Sequence, residues 1–287
     1  MELFFQQVFN GIMFGSTYAI VALGLTLVMG ILHIPNFAHG HLYMLGGYIT
    51  YFFISSLGLG YWLSLLLSIA VLGALGVLME AIVYRPLHDQ PHINSFIAAI
   101  GALLFLESLA EVIWGPQGLR IPNPYPYTFN FLGIIMSVQR LLVIIGAVSL
   151  IILLHLFLKK TLTGTTIEAV AQNREGAMLN GINVNRVSAL TFFISSATAA
   201  VAASFISPIF IISPAMGAII GMKAFIIVIL GGMGSIPGAI LGGYLLGLIE
   251  SLGGGYLSAA YKDVIAFGAL IVIFSIKPTG LFGKKEG

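Results

Sequence analysis

An amide and two imidazoles stand close together at Asn36, His39 and His41, in a chain otherwise dominated by apolar side chains. The stretch HIPNFAHGHLYMLGGY, residues 33–48, sets these donors and acceptors among Pro35 and Gly40, two residue types that favour a break in a helix. Such groups suit an interrupted backbone inside hydrocarbon, where irregular chain survives only if protein buries it or water reaches it. Two readings are open: a broken helix or re-entrant turn lining a polar pathway, or a short cytoplasmic turn capped by Asn36. Metal ligation fits poorly. His39 and His41 are two positions apart, which sends them to different sides of a helix, and no nearby carboxylate completes a ligand set.

A second break lies in ILGGMGSIPGAILGG, residues 229–243. Gly231, Gly232, Gly234, Pro237 and Gly238 make a tight turn between short apolar segments, with Ser235 as its polar handle. The stretch lacks the Gly-Lys-Ser/Thr ending of a phosphate loop, so nucleotide binding is not expected here.

Ionisable residues inside apolar segments are functional suspects by default. Glu107 and Glu111 share one helical face, where like charges repel, and are placed toward the outer end. Glu80 is expected to pair with Arg85. Lys223 reads as the loneliest intramembrane charge and Glu250 as the next. These groups are scattered over different segments and assemble no proton relay. No convergent nucleophile–base pair is visible either, so the chain is not expected to be an enzyme.

These residues must be positioned by helices in lipid. Apolar residues make up 59% of the chain and charged residues 8%, against roughly 45–50% and 25% in soluble domains. Apolar runs fall at 7–31, 42–57, 61–84, 93–114, 139–158, 188–210, 217–231, 238–252 and 262–277. Runs of about 17–25 residues cross hydrocarbon as helices. The chain is an all-α, polytopic membrane protein of about eight or nine crossings. The short runs 42–57, 217–231 and 238–252 are candidates for half-helices. The N-terminal stretch lacks the basic region of a cleavable signal, so the first segment is expected to stay as a span.

Lys159, Lys160, Arg174 and Arg186 put the 159–187 loop in the cytoplasm, and Lys277, Lys284 and Lys285 put the tail there too. With nine crossings the N-terminus is outside, together with the proline-rich loop 115–138. In that loop Tyr125, Tyr127 and Phe129 suit a membrane boundary. Gly11-x3-Gly15, Gly217-x3-Gly221, Gly238-x3-Gly242 and Gly243-x3-Gly247 are spacings for close helix packing, and SSATAAVAAS (195–204) is small on every face. A net charge of only +2, scattered, disfavours nucleic acid as a partner, and the absence of cysteine excludes disulfides and thiol chemistry.

The stretch 161–188, TLTGTTIEAVAQNREGAMLNGINVNRVS, is the most informative polar segment. Thr165-x2-Glu168 reads as a capping box that starts a helix, Asn180-Gly181 as its stop, and Asn185 as the cap of the next span. The expected product is one ordered helix on the cytoplasmic face carrying Glu168, Arg174 and Glu175. Such a helix is what a separate motor subunit could grip.

Together, FNGIMFGSTYAIVALGLTLVMGI, NFAHGHLYMLGGY, GMKAFIIVILGGMGSIPGAILGG, YLSAAYKDVI and PTGLFG, in this order, resemble the inner-membrane permease subunits of branched-chain amino acid ABC importers. The amino-terminal pattern is similar to the first of the two homologous permeases such systems carry. The resemblance covers nearly the whole chain and implies a single permease domain, 1–287. It implies a cytoplasmic ATPase-coupling surface at Glu168, Ala169, Asn173, Arg174, Glu175, Ala177, Gly181 and Ile182. It also implies a second permease, two ATPase subunits and an external binding protein, in a bacterial inner membrane. On this expectation ATP and Mg belong to the partner ATPases, and this chain binds no cofactor or metal of its own. Asn36, His39, Gly40, His41, Gly234, Ser235 and Pro237 are expected to belong to the translocation path. Two positions depart from the family pattern: His41 stands where an acidic residue is usual, and Glu168 where an Arg is common. The rival readings are a urea or short-amide importer of the same architecture and a stand-alone channel or ion-coupled carrier.

Overall fold

The first helix, α1 (Glu2–Leu32), is 31 residues long, and its apolar window is 89% buried. At about 1.5 Å per residue it outreaches a hydrocarbon layer of about 30 Å, and it stands as the central post. In the computed structural model, which describes residues 1–32, 36–88, 90–131, 133–276 and 280–282, α10 (Ile236–Tyr256) lies antiparallel along it. Glycines make that approach possible. Gly11 and Gly15 face Gly247 and Gly243, and a Cβ on Gly15 would stand 2.7 Å from the Tyr244 Cα. In lipid, helices associate through such backbone-close packing rather than through expulsion of water.

After α1 come α2 (His39–Tyr51), prolonged by a π-helical turn at Phe52–Ser56, and α3 (Tyr61–Met79), prolonged by another at Glu80–Tyr84. Then follow α4 (His92–Trp114), α5 (Val138–Lys160), and two short helices, α6 (Leu162–Gln172) and α7 (Arg174–Leu179). The remaining helices are α8 (Val184–Ile206), α9 (Met216–Gly231), α10 and α11 (Lys262–Ile276). Among the described residues, six helices are long and apolar enough to span: α1, α3, α4, α5, α8 and α10. The small residues of 195–204 serve as expected. Gly46 of α2 would place a Cβ 2.9 Å from the Ala200 Cα, and Gly76 of α3 packs on Phe192 and Ser196. By contrast only 17% of the α4 window is buried, so its apolar side chains face outward, as lipid contact requires.

The two ends of the bundle are distinct. The Gln6 amide exchanges two hydrogen bonds with the Ile135 backbone, accepting at 2.8 Å and donating at 3.2 Å. The start of α1 therefore sits beside segment 115–138. At its far end, Gly30 faces Ala171 of α6. The start of α1 and the stretch 161–182 thus lie at opposite ends of the bundle.

Two expectations need correction. The run 238–252 is no half-helix: α10 has 21 residues, because the Gly-rich stretch after Pro237 packs on α1 instead of breaking. The runs 217–231 and 42–57 do give short helices, α9 with 16 residues and α2 with 13. Segment 115–138 is more than a stiff connector, since Thr128–Phe131 (β1) and Ile134–Ser137 (β2) pair antiparallel. Gly133, at φ 83°, takes a conformation few other residues accept. Pro35 and the tail lysines Lys277, Lys284 and Lys285 lie outside the described residues.

Candidate functional site

At the end of the bundle away from the start of α1, α6 starts earlier than the capping box indicates. Thr161 directly follows α5, and its hydroxyl accepts from the Gly164 amide at 3.0 Å, capping the new helix. Thr165 is already inside the helix, donating to the Leu162 carbonyl. The Glu168 carboxylate is 2.8 Å from the Lys159 ammonium. The single expected helix is two, because Asn173 leaves helical geometry at φ −154°, ψ 102°. Its side chain accepts from the Gly176 amide at 2.8 Å and starts α7. Gly181, at φ 79°, ends α7 as its sequence indicates. The cap of α8 is Asn183 and not Asn185: the Asn183 side-chain Oδ1 accepts from the Arg186 amide at 3.1 Å.

Of the expected coupling residues, Ala177 is buried, Ala169, Arg174 and Ile182 are half-buried, and Glu175 is exposed. Sequence reasoning missed the apolar side chains here: Leu162 is 88% exposed and Leu179 89%, with Met178 beside it. A cleft of about 530 Å³ opens at this end, lined by Gly30, Lys159, Glu168, Gln172, Met233 and Gly234.

The residues of the first break hold helices together. The Tyr84 hydroxyl donates to the Asn36 side chain at 2.7 Å. His39 is 1% exposed, with Nε2 2.9 Å from the Val21 carbonyl and Nδ1 3.2 Å from the Ser195 hydroxyl. A carbonyl only accepts, so Nε2 carries the proton and Nδ1 accepts from Ser195. One imidazole thereby ties α1, α2 and α8. Gly40 lies against α9, where a Cβ would be 2.5 Å from the Gly221 Cα. His41 points elsewhere, Nε2 standing 3.3 Å from a Glu107 carboxylate oxygen. The two histidines thus diverge as their spacing requires, and His41 meets a carboxylate that its local sequence does not reveal. In the second break Ser235 caps α10 by accepting from the Gly238 amide at 3.2 Å, Pro237 falls in the first turn, and Gly234, at φ 79°, borders the inner cleft. Glu80 pairs with Arg85 as expected.

The largest departure from the sequence reading is at Lys223 and Glu250. These charges are neither lone nor scattered. The Lys223 ammonium lies 2.7 Å from Glu250 Oε2, 2.7 Å from Asp263 Oδ1 and 3.1 Å from the Tyr18 hydroxyl. Tyr18 in turn donates to Glu250 Oε2 at 2.8 Å. Lys262 approaches Glu250 Oε1 at 3.5 Å. Four helices, α1, α9, α10 and α11, meet through these side chains. The group borders a cavity of about 210 Å³ whose other walls include Phe14, Tyr43, Ile206, Phe210, Met216 and Ile220. The cavity lies away from α6 and α7, beside the Leu119–Ile212 backbone pairing. Along α1, Tyr18 at this cavity and Met29 at the inner cleft are about 17 Å apart.

A family model described as "Branched-chain amino acid transport system / permease component" matches residues 7–274. The chain is 37% identical to the high-affinity branched-chain amino acid transport system permease protein LivH of Escherichia coli K12, over 99% of this chain and 96% of that one. It is 38% identical to the corresponding permease protein BraD of Pseudomonas aeruginosa, over 99% and 97%. Among solved structures, PsaBC from Streptococcus pneumoniae in complex with Fab shares the fold, with a TM-score of 0.50 at 14% identity, covering 95% of this chain and 92% of that one.

Proposed function

The chain belongs to the permease family of branched-chain amino acid transport systems, and from that premise we propose that it is one transmembrane permease subunit of an ATP-driven importer for leucine, isoleucine and valine. The observation that carries the reading is the near full-length likeness to permeases of that named specificity. In this reading a second, homologous permease completes the pathway, two cytoplasmic ATPase subunits supply the energy, and an external binding protein delivers the amino acid. The membrane is the inner membrane of a bacterium. ATP and Mg belong to the ATPases, and this chain performs no bond-making chemistry.

The geometry supports a division of labour. Helices α6 and α7 present bare apolar side chains where water would otherwise wet them, at Leu162, Met178 and Leu179, as a surface meant for a protein partner does. The inner cleft lies between this surface and the Gly234 turn. Movement of α6 and α7 with the ATPases would act on α1 and α10 through that cleft. Outward and inward access would then alternate between the cavities at the two ends.

The test is uptake of labelled leucine into vesicles holding this chain, its second permease and the ATPases, with binding protein outside and ATP inside. We expect uptake that requires ATP hydrolysis and the binding protein. Uptake by this chain alone, indifferent to ATP, would instead favour a channel or ion-coupled carrier.

A further inference from the structure

The cavity away from α6 and α7 combines two features that rarely meet inside a membrane protein. One is a set of four ionisable side chains, formally two cations and two anions: Lys223 and Lys262 against Glu250 and Asp263. The other is an aliphatic and aromatic wall. Charges within spans are costly and face cavities, pathways or one another. Here the deep part of the cluster is complete. The Lys223 ammonium is hydrogen-bonded to Glu250 and Tyr18 with Asp263 Oδ1 2.7 Å away as a charge partner, and Glu250 Oε2 accepts from both Lys223 and Tyr18. The rim is not complete. Glu250 Oε1 is buried without a hydrogen bond, and its nearest cation, Lys262, stands off at 3.5 Å. The Lys262 and Asp263 side chains are 43% and 45% exposed, and both line the cavity.

We propose that this cavity receives the zwitterion of a branched-chain amino acid, an inference that rests on the importer reading. The Lys262 ammonium meets the α-carboxylate, the Asp263 carboxylate meets the α-ammonium, and the aliphatic side chain enters the wall formed by Ile206, Met216 and Ile220. Charge balance selects this chemistry. The four side chains sum to zero, so a zwitterion leaves the site neutral, whereas a simple anion or cation would leave an unbalanced charge in a low-dielectric wall. Size agrees as well. A cavity of about 150 Å³ holds benzene, and a branched-chain amino acid, only a few heavy atoms larger, suits 210 Å³. Lys223, Glu250 and Tyr18 act as positioning residues that hold α9, α10 and α11 around the opening. The external protein selects the substrate, and this site accepts it after release.

The experiment uses the complete reconstituted transporter, with one binding protein throughout and leucine and valine as labelled probes. Lys262→Gln and Asp263→Asn are each expected to lower uptake by about tenfold, the loss of one charged hydrogen bond. Ile220→Ala, which alters only the wall, is expected to shift the leucine-to-valine uptake ratio by about threefold or more. A folding defect shared by both substrates cannot move that ratio. Wild-type uptake in both charge variants, or an unmoved ratio in Ile220→Ala, overturns the site while the importer stands. Wild-type vesicles that take up neither amino acid with ATP overturn the importer reading and the site with it.

Discussion

Lys223 of α9 and Glu250 of α10, 27 positions apart in sequence, join Nζ to Oε2 at 2.7 Å with side chains only 4% and 2% exposed. A buried ion pair is weak evidence for stability in itself, because desolvation opposes the attraction. Removing one member is a different matter, since it strands the other in a medium that solvates it poorly. Lys223→Met, which leaves Glu250 with the Tyr18 hydroxyl and the more distant Lys262, and Glu250→Met should each destabilise the folded protein by about 3–5 kcal/mol. The double variant Lys223→Met/Glu250→Met should lose clearly less than the sum of the two single losses. Thermal unfolding in detergent reads all three. Strictly additive losses would show that the pair is not coupled.

The α1–α10 seam makes an independent prediction. A side chain on Gly15 meets the Tyr244 backbone, and neither helix can yield without lifting away from the other. Gly15→Val should lower the unfolding midpoint by an amount corresponding to about 1–3 kcal/mol, as overpacking does. Gly101 of α4 is the control: an added Cβ there meets nothing within 4 Å. Gly101→Ala should be neutral or stabilising by about 0.5–1 kcal/mol, because alanine suits a helix interior better.

These two sites differ in how far the sequence reveals them. Gly11, Gly15, Gly243 and Gly247 carry their meaning in local spacing, since residues four apart share a helix face whatever the rest of the chain does. The stop at Gly181 is local in the same way. Lys223 carries no such mark. Its partners Tyr18, Glu250 and Asp263 come from three other helices, and only the order in which helices pack brings them together. The caps fall between these cases. Thr161 and Thr165 are equally good caps by type, and Thr161 wins because α5 ends immediately before it. The hairpin at 128–137 was hidden by the prolines around it, which argue against helix but say little about pairing.

His39 separates a structural role from a place in the pathway. Its two ring nitrogens are occupied by Val21 and Ser195, so its polar capacity is spent on helix contacts. His39→Leu should destabilise the protein by about 1–3 kcal/mol, mainly through the unpaired Ser195 hydroxyl and the altered packing. Uptake per folded transporter should stay near wild type. Normal stability with strongly reduced uptake would instead assign His39 to the pathway.

Leu179 tests the coupling surface without disturbing the fold. It is 89% exposed at the end of α7, so a charge there costs the isolated chain little, as surface changes usually stay within about 0.5 kcal/mol. In a docked complex the same side chain is expected to lie under an ATPase subunit, where an unpaired charge is expensive to desolvate. Leu179→Asp should therefore leave the unfolding midpoint unchanged while weakening ATPase binding and leucine uptake by about tenfold or more. Thr163→Asp, on the neighbouring α6 and also exposed, reports whether any added negative charge has this effect. A loss confined to Leu179 locates the contact on α7. Equal losses at both positions would reflect the charge of the whole face, and no loss at either would place the ATPase elsewhere.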